Sequence, residues 1–178
     1  MANAEILRPF VLSWEGGFVN DPADKGGATN KGVTLATFRN VFGQQRTIED
    51  LKRISNTQWL EIFKKYYWDK WKADSIRSQA IANLLADWVW MSGTHGIKLP
   101  QKVLGVTQDG IVGNITIGAV NNYPRQKELF ERLWEEREAF FRRIGTRTQA
   151  KYLKGWLNRL NSIQYYRLIM SNRKIITF

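Results

Sequence analysis

Apolar residues recur along this chain at helical spacing, in blocks separated by glycines or by the hydroxyl and amide residues that start helices. The first block, residues 5–15, runs into the helix stop Gly16-Gly17, with a start near Pro9 as the alternative, since proline suits a first helical turn. Thr34 reads as the N-cap of a helix over 35–42 that Gly43 ends. Thr47 with Asp50 predicts a short helix through Ile54, and Ser55 with Gln58, a better capping box, opens one through Tyr67. Residues 78–91 place Ile81, Leu84, Leu85, Trp88 and Val89 at the spacing of a buried helix, closed by Gly93. After residues 97–104 comes a turn-rich stretch, 109–114. Leu129, Leu133, Phe140 and Phe141 form the apolar stripe of a long helix over 125–143. A last helix is expected from about Gln149 to Met170, with Gly155 a point where it can break. The pattern predicts a mainly α fold, with at most a short β-hairpin near the loop that follows Glu15.

Composition narrows the chemistry. With 178 residues, 43% hydrophobic and 13% aromatic, the chain is long enough for one good core, in one or two lobes. It has no cysteine, which excludes a disulfide framework, thiolate catalysis and a cysteine metal site. His95 is the sole histidine, so neither a metal nor a cofactor is expected. There is no Walker-type phosphate loop and no Gly-x-Ser-x-Gly elbow. The first residues lack the basic and apolar stretches of a secretory leader, and no apolar run approaches the roughly 20 residues that span a bilayer. Synthesis in the cytoplasm without a leader, and no stable membrane insertion, are the expectations. Formal net charge is +11, and residues 139–178 hold no acid but include Arg142, Arg143, Arg147, Lys151, Lys154, Arg159, Arg167, Arg173 and Lys174. That excess favours an anionic partner, whether nucleic acid, an acidic membrane face or a cell wall bearing carboxylates and phosphates. A solvated basic helix face is the plainer account of any one of these residues.

Glu15 changes the picture most. It ends an apolar run beside Trp14, two glycines follow, and the loop beyond carries Asp21 and Asp24. Acid-catalysed sugar cleavage is often built from a carboxylic acid so placed, opposite a second carboxylate. An unperturbed glutamate titrates near ~4.3, so an acid working at neutral pH needs its neutral form favoured. Trp14 and Phe18 are the expected apolar wall, and a helix C-terminus disfavours negative charge mildly. Asp87, on an otherwise apolar helix, needs a partner if buried.

Several blocks stand at fixed spacing: Glu15-Gly16-Gly17-Phe18, Asn20-Asp21-Pro22-Ala23-Asp24, and Gly26-Gly27-Ala28-Thr29-Asn30-Lys31-Gly32-Val33-Thr34. Tyr67-Trp68-Asp69, and Asp87 with Ser92-Gly93, continue the pattern, which resembles glycoside hydrolase family 108, the peptidoglycan muramidases of phage lysis modules and bacterial secretion systems. The second half, through residues 106–113 and 116–120, resembles the peptidoglycan-binding segment associated with that family. Phe18 stands where tyrosine is common, Met91 where asparagine is frequent and Asn114 where proline is usual.

The resemblance implies a lysozyme-like helical fold, a catalytic lobe over 1–93 and a peptidoglycan-binding helical lobe over 94–178, packed as one unit. It implies cleavage of the β-1,4 bond between N-acetylmuramic acid and N-acetylglucosamine, with Glu15 as general acid. By analogy with phage-type lysozymes, Asp24 positions or deprotonates water with Thr29 or Thr34 as helper, although Thr34 also suits a helix cap and Asp21 a turn. Gly16, Gly17, Phe18, Asp21, Gly27, Tyr67, Trp68, Asp87 and Trp90 are the expected substrate-binding positions. Asp109, Gly110, Gly113 and Thr116 are the expected wall-binding ones. Implied partners are peptidoglycan, anionic cell-wall polymers and a holin or secretion machinery, with action in the periplasm or cell wall, rather than nucleic acid. A non-catalytic wall-binding or secretion-activating protein with the same fold is the alternative.

Overall fold

Side chains that satisfy otherwise unpaired backbone N–H groups start the helices. The computed structural model describes residues 1–21 and 26–178. Asn3 caps α1 (Ala4–Trp14), and Thr34 caps α2 (Leu35–Phe42). Complete capping boxes, Thr47 with Asp50 and Ser55 with Gln58, open α3 (Ile48–Lys52) and α4 (Asn56–Phe63). The helix expected through Tyr67 changes character first. Residues Lys64–Trp68 form a π-turn, followed by short 3-10 turns at Asp69–Trp71 and Ala73–Ser75. The wider turn leaves Tyr67 stacked on Phe63 while Trp68 points into the core.

The axis of the molecule is α5 (Gln79–Ser92), capped by Ser78, ended by Gly93 and buried at every position from Ala80 to Val89. A helix wrapped on all sides must be apolar or have its polar groups paired, which makes Asn83 and Asp87 conspicuous. Against it pack α6 (His95–Leu104) and α8 (Gln126–Ile144). Gly96 permits the α5–α6 contact, since a Cβ there would stand 2.5 Å from the Val89 nitrogen. A further helix that the sequence pattern does not announce, α7 (Asn114–Asn121), follows the turn-rich stretch. Then α9 (Ala150–Asn161) runs through Gly155 without a break.

Two small antiparallel sheets complete the mainly α fold. One is a hairpin of β1 (Thr29–Asn30) and β2 (Val33–Thr34), in the register Thr29↔Thr34 and Asn30↔Val33. Its two-residue turn has positive φ at Lys31 (50°) and Gly32 (77°), the mirror-image turn that suits strand twist. The other replaces the end of the expected last helix, which stops at Asn161 rather than Met170. Here β3 (Ile163–Gln164), β4 (Arg167–Ile169) and β5 (Ile175–Thr177) pair in the order β3-β4-β5. The reason is a change of period. Ile163 faces Leu168, Leu168 faces Ile176, and the first two are buried while Arg167 and Ile175 on either side are exposed. The turn after β4 docks on α1: the Ser171 N–H donates to Ser13 Oγ at 3.0 Å, and the Ser171 hydroxyl donates to the Ser13 carbonyl. No helix among the described residues is long and apolar enough to cross a membrane.

If the terminal sheet is part of the core, Leu168→Ala lowers unfolding free energy by about 2–5 kcal/mol, the cost of truncating a buried leucine. Denaturant unfolding measures this, and a change under about 0.5 kcal/mol, as for a surface site, refutes it.

Candidate active site

The last turn of α1 delivers Glu15. Its backbone turns extended (φ −89°, ψ 148°) while its N–H still bonds the Leu12 carbonyl at 3.3 Å. The side chain is 17% exposed. Trp90 Nε1 donates to Glu15 Oε1 at 2.7 Å, and Arg159 Nη1 donates to the same oxygen at 2.9 Å. The other oxygen faces the hairpin turn. A Cβ on Gly32 would lie 2.8 Å from Glu15 Oε2 and 2.5 Å from the Trp90 ring, and φ there is left-handed, so alanine fits on neither count.

Aromatic stacking sets the Trp90 ring. Trp59 and Phe63 stack at 5.0 Å, Phe63 and Tyr67 at 5.8 Å, and Tyr67 meets Trp90 edge-on at 4.6 Å. Trp59 also donates from Nε1 to the Lys31 carbonyl at 2.9 Å, which ties the hairpin turn to the same cluster. Burial, and then the charge of Glu15, push the Tyr67 phenol above its ordinary value.

Behind Glu15 lies a buried charge chain. Asp87 is wholly buried on α5. Its Oδ1 accepts from Arg159 Nη2 at 2.7 Å and Nε at 3.1 Å, and its Oδ2 accepts from Arg137 Nη2 at 2.7 Å. Burial alone would raise the Asp87 carboxyl, but Arg159 and Arg137 outweigh it and hold it below the usual carboxylate range. For Arg159 burial pulls down, while Asp87 and then Glu15 overcome that and raise it. Arg137 also lies over the rings of Phe141 and Trp88, at 5.2 and 5.9 Å.

A glutamate with one oxygen fixed by two donors and the other turned toward an open loop is equipped for proton transfer. The sequence profile described as glycosyl hydrolase 108 matches residues 8–93, and one described as predicted peptidoglycan domain matches residues 95–161. A solved structure titled "Structure of Brucella abortus SagA" is 33% identical, with a TM-score of 0.71, over 87% of this chain and 87% of that one. The chain belongs to the glycosyl hydrolase 108 family. No curated protein matches it. As a glycosyl hydrolase 108 protein with a peptidoglycan domain, it is a peptidoglycan hydrolase and has peptidoglycan as its partner.

Of the positions read from sequence, the structure of this glycosyl hydrolase 108 protein brings together Glu15, Trp90 and Tyr67, with Gly32 beside them. Asp24 lies outside the described residues, and Asp21 is exposed. Gly16 and Gly17 border open space, and Gly27 takes φ 66°. Thr29 donates its hydroxyl to the Gly27 carbonyl at 3.3 Å, and the Thr34 hydroxyl accepts from the Thr37 N–H as a helix cap. Three expectations change. Trp14 packs on Phe10 and Phe18 lies under Lys52, so the ring at the carboxylate is Trp90. Trp68 is wholly buried with Nε1 bonded to Asp74, and offers no face to a sugar. Asp87 cannot reach substrate, because both of its oxygens are buried under arginines. Met91 lies away from Glu15, lining a hollow with His95, Leu99 and Phe140.

In the second half, Asp109 Oδ1 accepts from the Ile111 N–H at 2.8 Å and from Gln101 at 2.9 Å, which holds its carboxyl below the usual range. Gly110 has φ 79°, Gly113 is the N-cap of α7, and Thr116 is buried. These residues build the turn; the groups they present outward are Ile111 and Ile115, 70% and 80% exposed around a shallow hollow. Arg159 is the residue missed. It stands in the sequence among the basic residues of an acid-free tail, yet it is 4% exposed.

Asp87→Asn is expected to cost about 3–5 kcal/mol in chemical denaturation, because it leaves buried arginines short of a counter-charge. The Asp87 carboxyl is held low in the folded state, so its contribution is full above the unfolded value of about 3.9 and fades as pH falls through the folded one. Wild-type stability therefore drops more steeply below about pH 4 than that of the variant; parallel curves would contradict this.

Proposed function

We propose that this peptidoglycan hydrolase is an N-acetylmuramidase with Glu15 as its general acid. The observation that carries the reading is the Glu15 carboxyl itself: Oε1 is anchored by Trp90 and Arg159, and Oε2 is turned to the glycine hairpin. In this reading, protonated Glu15 gives its proton to the glycosidic oxygen as the bond to C1 of N-acetylmuramic acid breaks. The bonding pair leaves with the oxygen of N-acetylglucosamine, and the sugar passes through an oxocarbenium-like state that water captures. Asp21 and Asp24 follow Glu15 closely in the sequence, and Asp24 is proposed to receive the proton of that water, with Thr29 as helper. Gly27 and Gly32 let the glycan lie against backbone, and the Tyr67–Trp90 edge offers a surface to a sugar face.

Residues 94–178 are proposed to contribute most of the affinity for the wall, through Ile111 and Ile115 at the Asp109–Gly113 turn and through exposed cations of α9 such as Lys151 and Lys154, which suit anionic wall polymers. The proposed setting is the periplasm or cell wall, reached through a holin pore or a secretion route, in service of lysis or secretion. The alternative, a non-catalytic wall-binding protein, has one observation in its favour: an arginine engages Glu15 at 2.9 Å, as in a purely structural ion pair.

Hydrolysis of purified peptidoglycan, with mass spectrometry of the reducing ends, separates the two. Wild type is expected to release muropeptides that end in reducing N-acetylmuramic acid, and Glu15→Gln to lose at least about 10²-fold in rate, the lower range for removal of a general acid. Folded wild type without products would favour the non-catalytic reading, and reducing N-acetylglucosamine would move the cut to the other bond.

A further inference from the structure

An arginine recruited only to neutralise Asp87 needs one carboxylate. Arg159 spans two. Its guanidinium directs Nη2 and Nε to Asp87 and Nη1 to Glu15, all within one rigid plane. Asp87 is in turn held from its other side by Arg137, so the group facing Glu15 cannot rotate away. Trp90 and Arg159 both bond Oε1, and among the described residues no donor holds Oε2, which makes Oε2 the oxygen placed to carry a proton.

From this geometry we propose that Arg159 is the positioning residue of Glu15, so that α9, within the segment matched as a peptidoglycan domain, belongs to the catalytic machinery. The proposal rests on the reading of Glu15 as the acid. When the proton leaves Oε2 for the glycosidic oxygen, the carboxylate that forms meets a cation already in place. No reorganisation is needed at that moment, and the interaction strengthens toward the transition state. The brace extends into residues 162–178, which neither family profile matches. Trp134 donates to the Leu160 carbonyl at 3.1 Å and the Ile169 N–H to that of Ser162 at 2.9 Å. Ser171 grips Ser13, two positions before Glu15. Acid and arginine are thereby fixed to each other through the backbone as well as through their side chains.

Steady-state hydrolysis of solubilised peptidoglycan by Arg159→Gln, Arg159→Lys, Glu15→Gln and the Glu15→Gln/Arg159→Gln double variant tests this. Arg159→Gln is expected to lower kcat about 10²-fold with KM little changed. Arg159→Lys should recover part of the loss, since an ammonium keeps the charge but not the two-carboxylate fork. In the Glu15→Gln background the arginine change should add no further loss. A lowered melting temperature with kcat intact would make Arg159 merely structural, and a raised KM alone would make it a substrate contact; either overturns the proposal. If Arg159→Gln does not fold, Arg159→Lys decides, with a wild-type kcat counting against. Retained activity in Glu15→Gln would instead sink the acid assignment, whatever the arginine variants do.

Discussion

The pairing of Asp87 with two arginines is the constraint on which the rest of the molecule depends. Moving ions out of water costs several kcal/mol each, and close attraction repays this only when geometry and hydrogen bonding are nearly complete. Here the carboxylate sits on the central helix, one guanidinium comes from α8, and the other from α9. Those helices are therefore held in one relative placement, since sliding any of them would strand a charge in an apolar interior.

From that fixed point the surroundings of Glu15 are built outward by two kinds of force. On one side an ion pair reaches Glu15. On the other, stacked rings of α4 and the π-turn orient Trp90 and hold the hairpin turn through the Lys31 carbonyl. One oxygen of the carboxyl is thus gripped between a charged wall and an aromatic one, and the glycine at the turn lets the backbone approach the other.

What the sequence disclosed follows the range of the forces involved. Caps are local, and Thr34, Thr47, Ser55 and Gly93 could each be recognised from a few neighbours. Glu15 was legible for the same reason, as a carboxylate at a helix stop within a dense motif. Trp68 and Trp90 looked equivalent because only the phase of a helix, and a π-turn that shifts it, sends one inward and the other to the site. The terminal sheet was hidden because Trp156, Leu157, Leu160 and Ile163 prolong a helical period up to the residue where pairing begins. Arg159 had no local mark among its basic neighbours. Its one trace was indirect: an aspartate on an apolar helix demands buried cations, and Arg137 within the stripe of α8 was one of them.

The separation between the partners has its own consequence for how the molecule comes into being. Glu15 and Arg159 are 144 positions apart, and the contact closes almost the entire chain into a ring. Closure on that scale is paid for in chain entropy before it is rewarded, which places it among the late events of folding. A nascent chain emerging from the ribosome can form its capped helices and its aromatic cluster while α9 is still unmade. During that interval the glutamate exists without its arginine, and the ion pair closes only after α9 has been made.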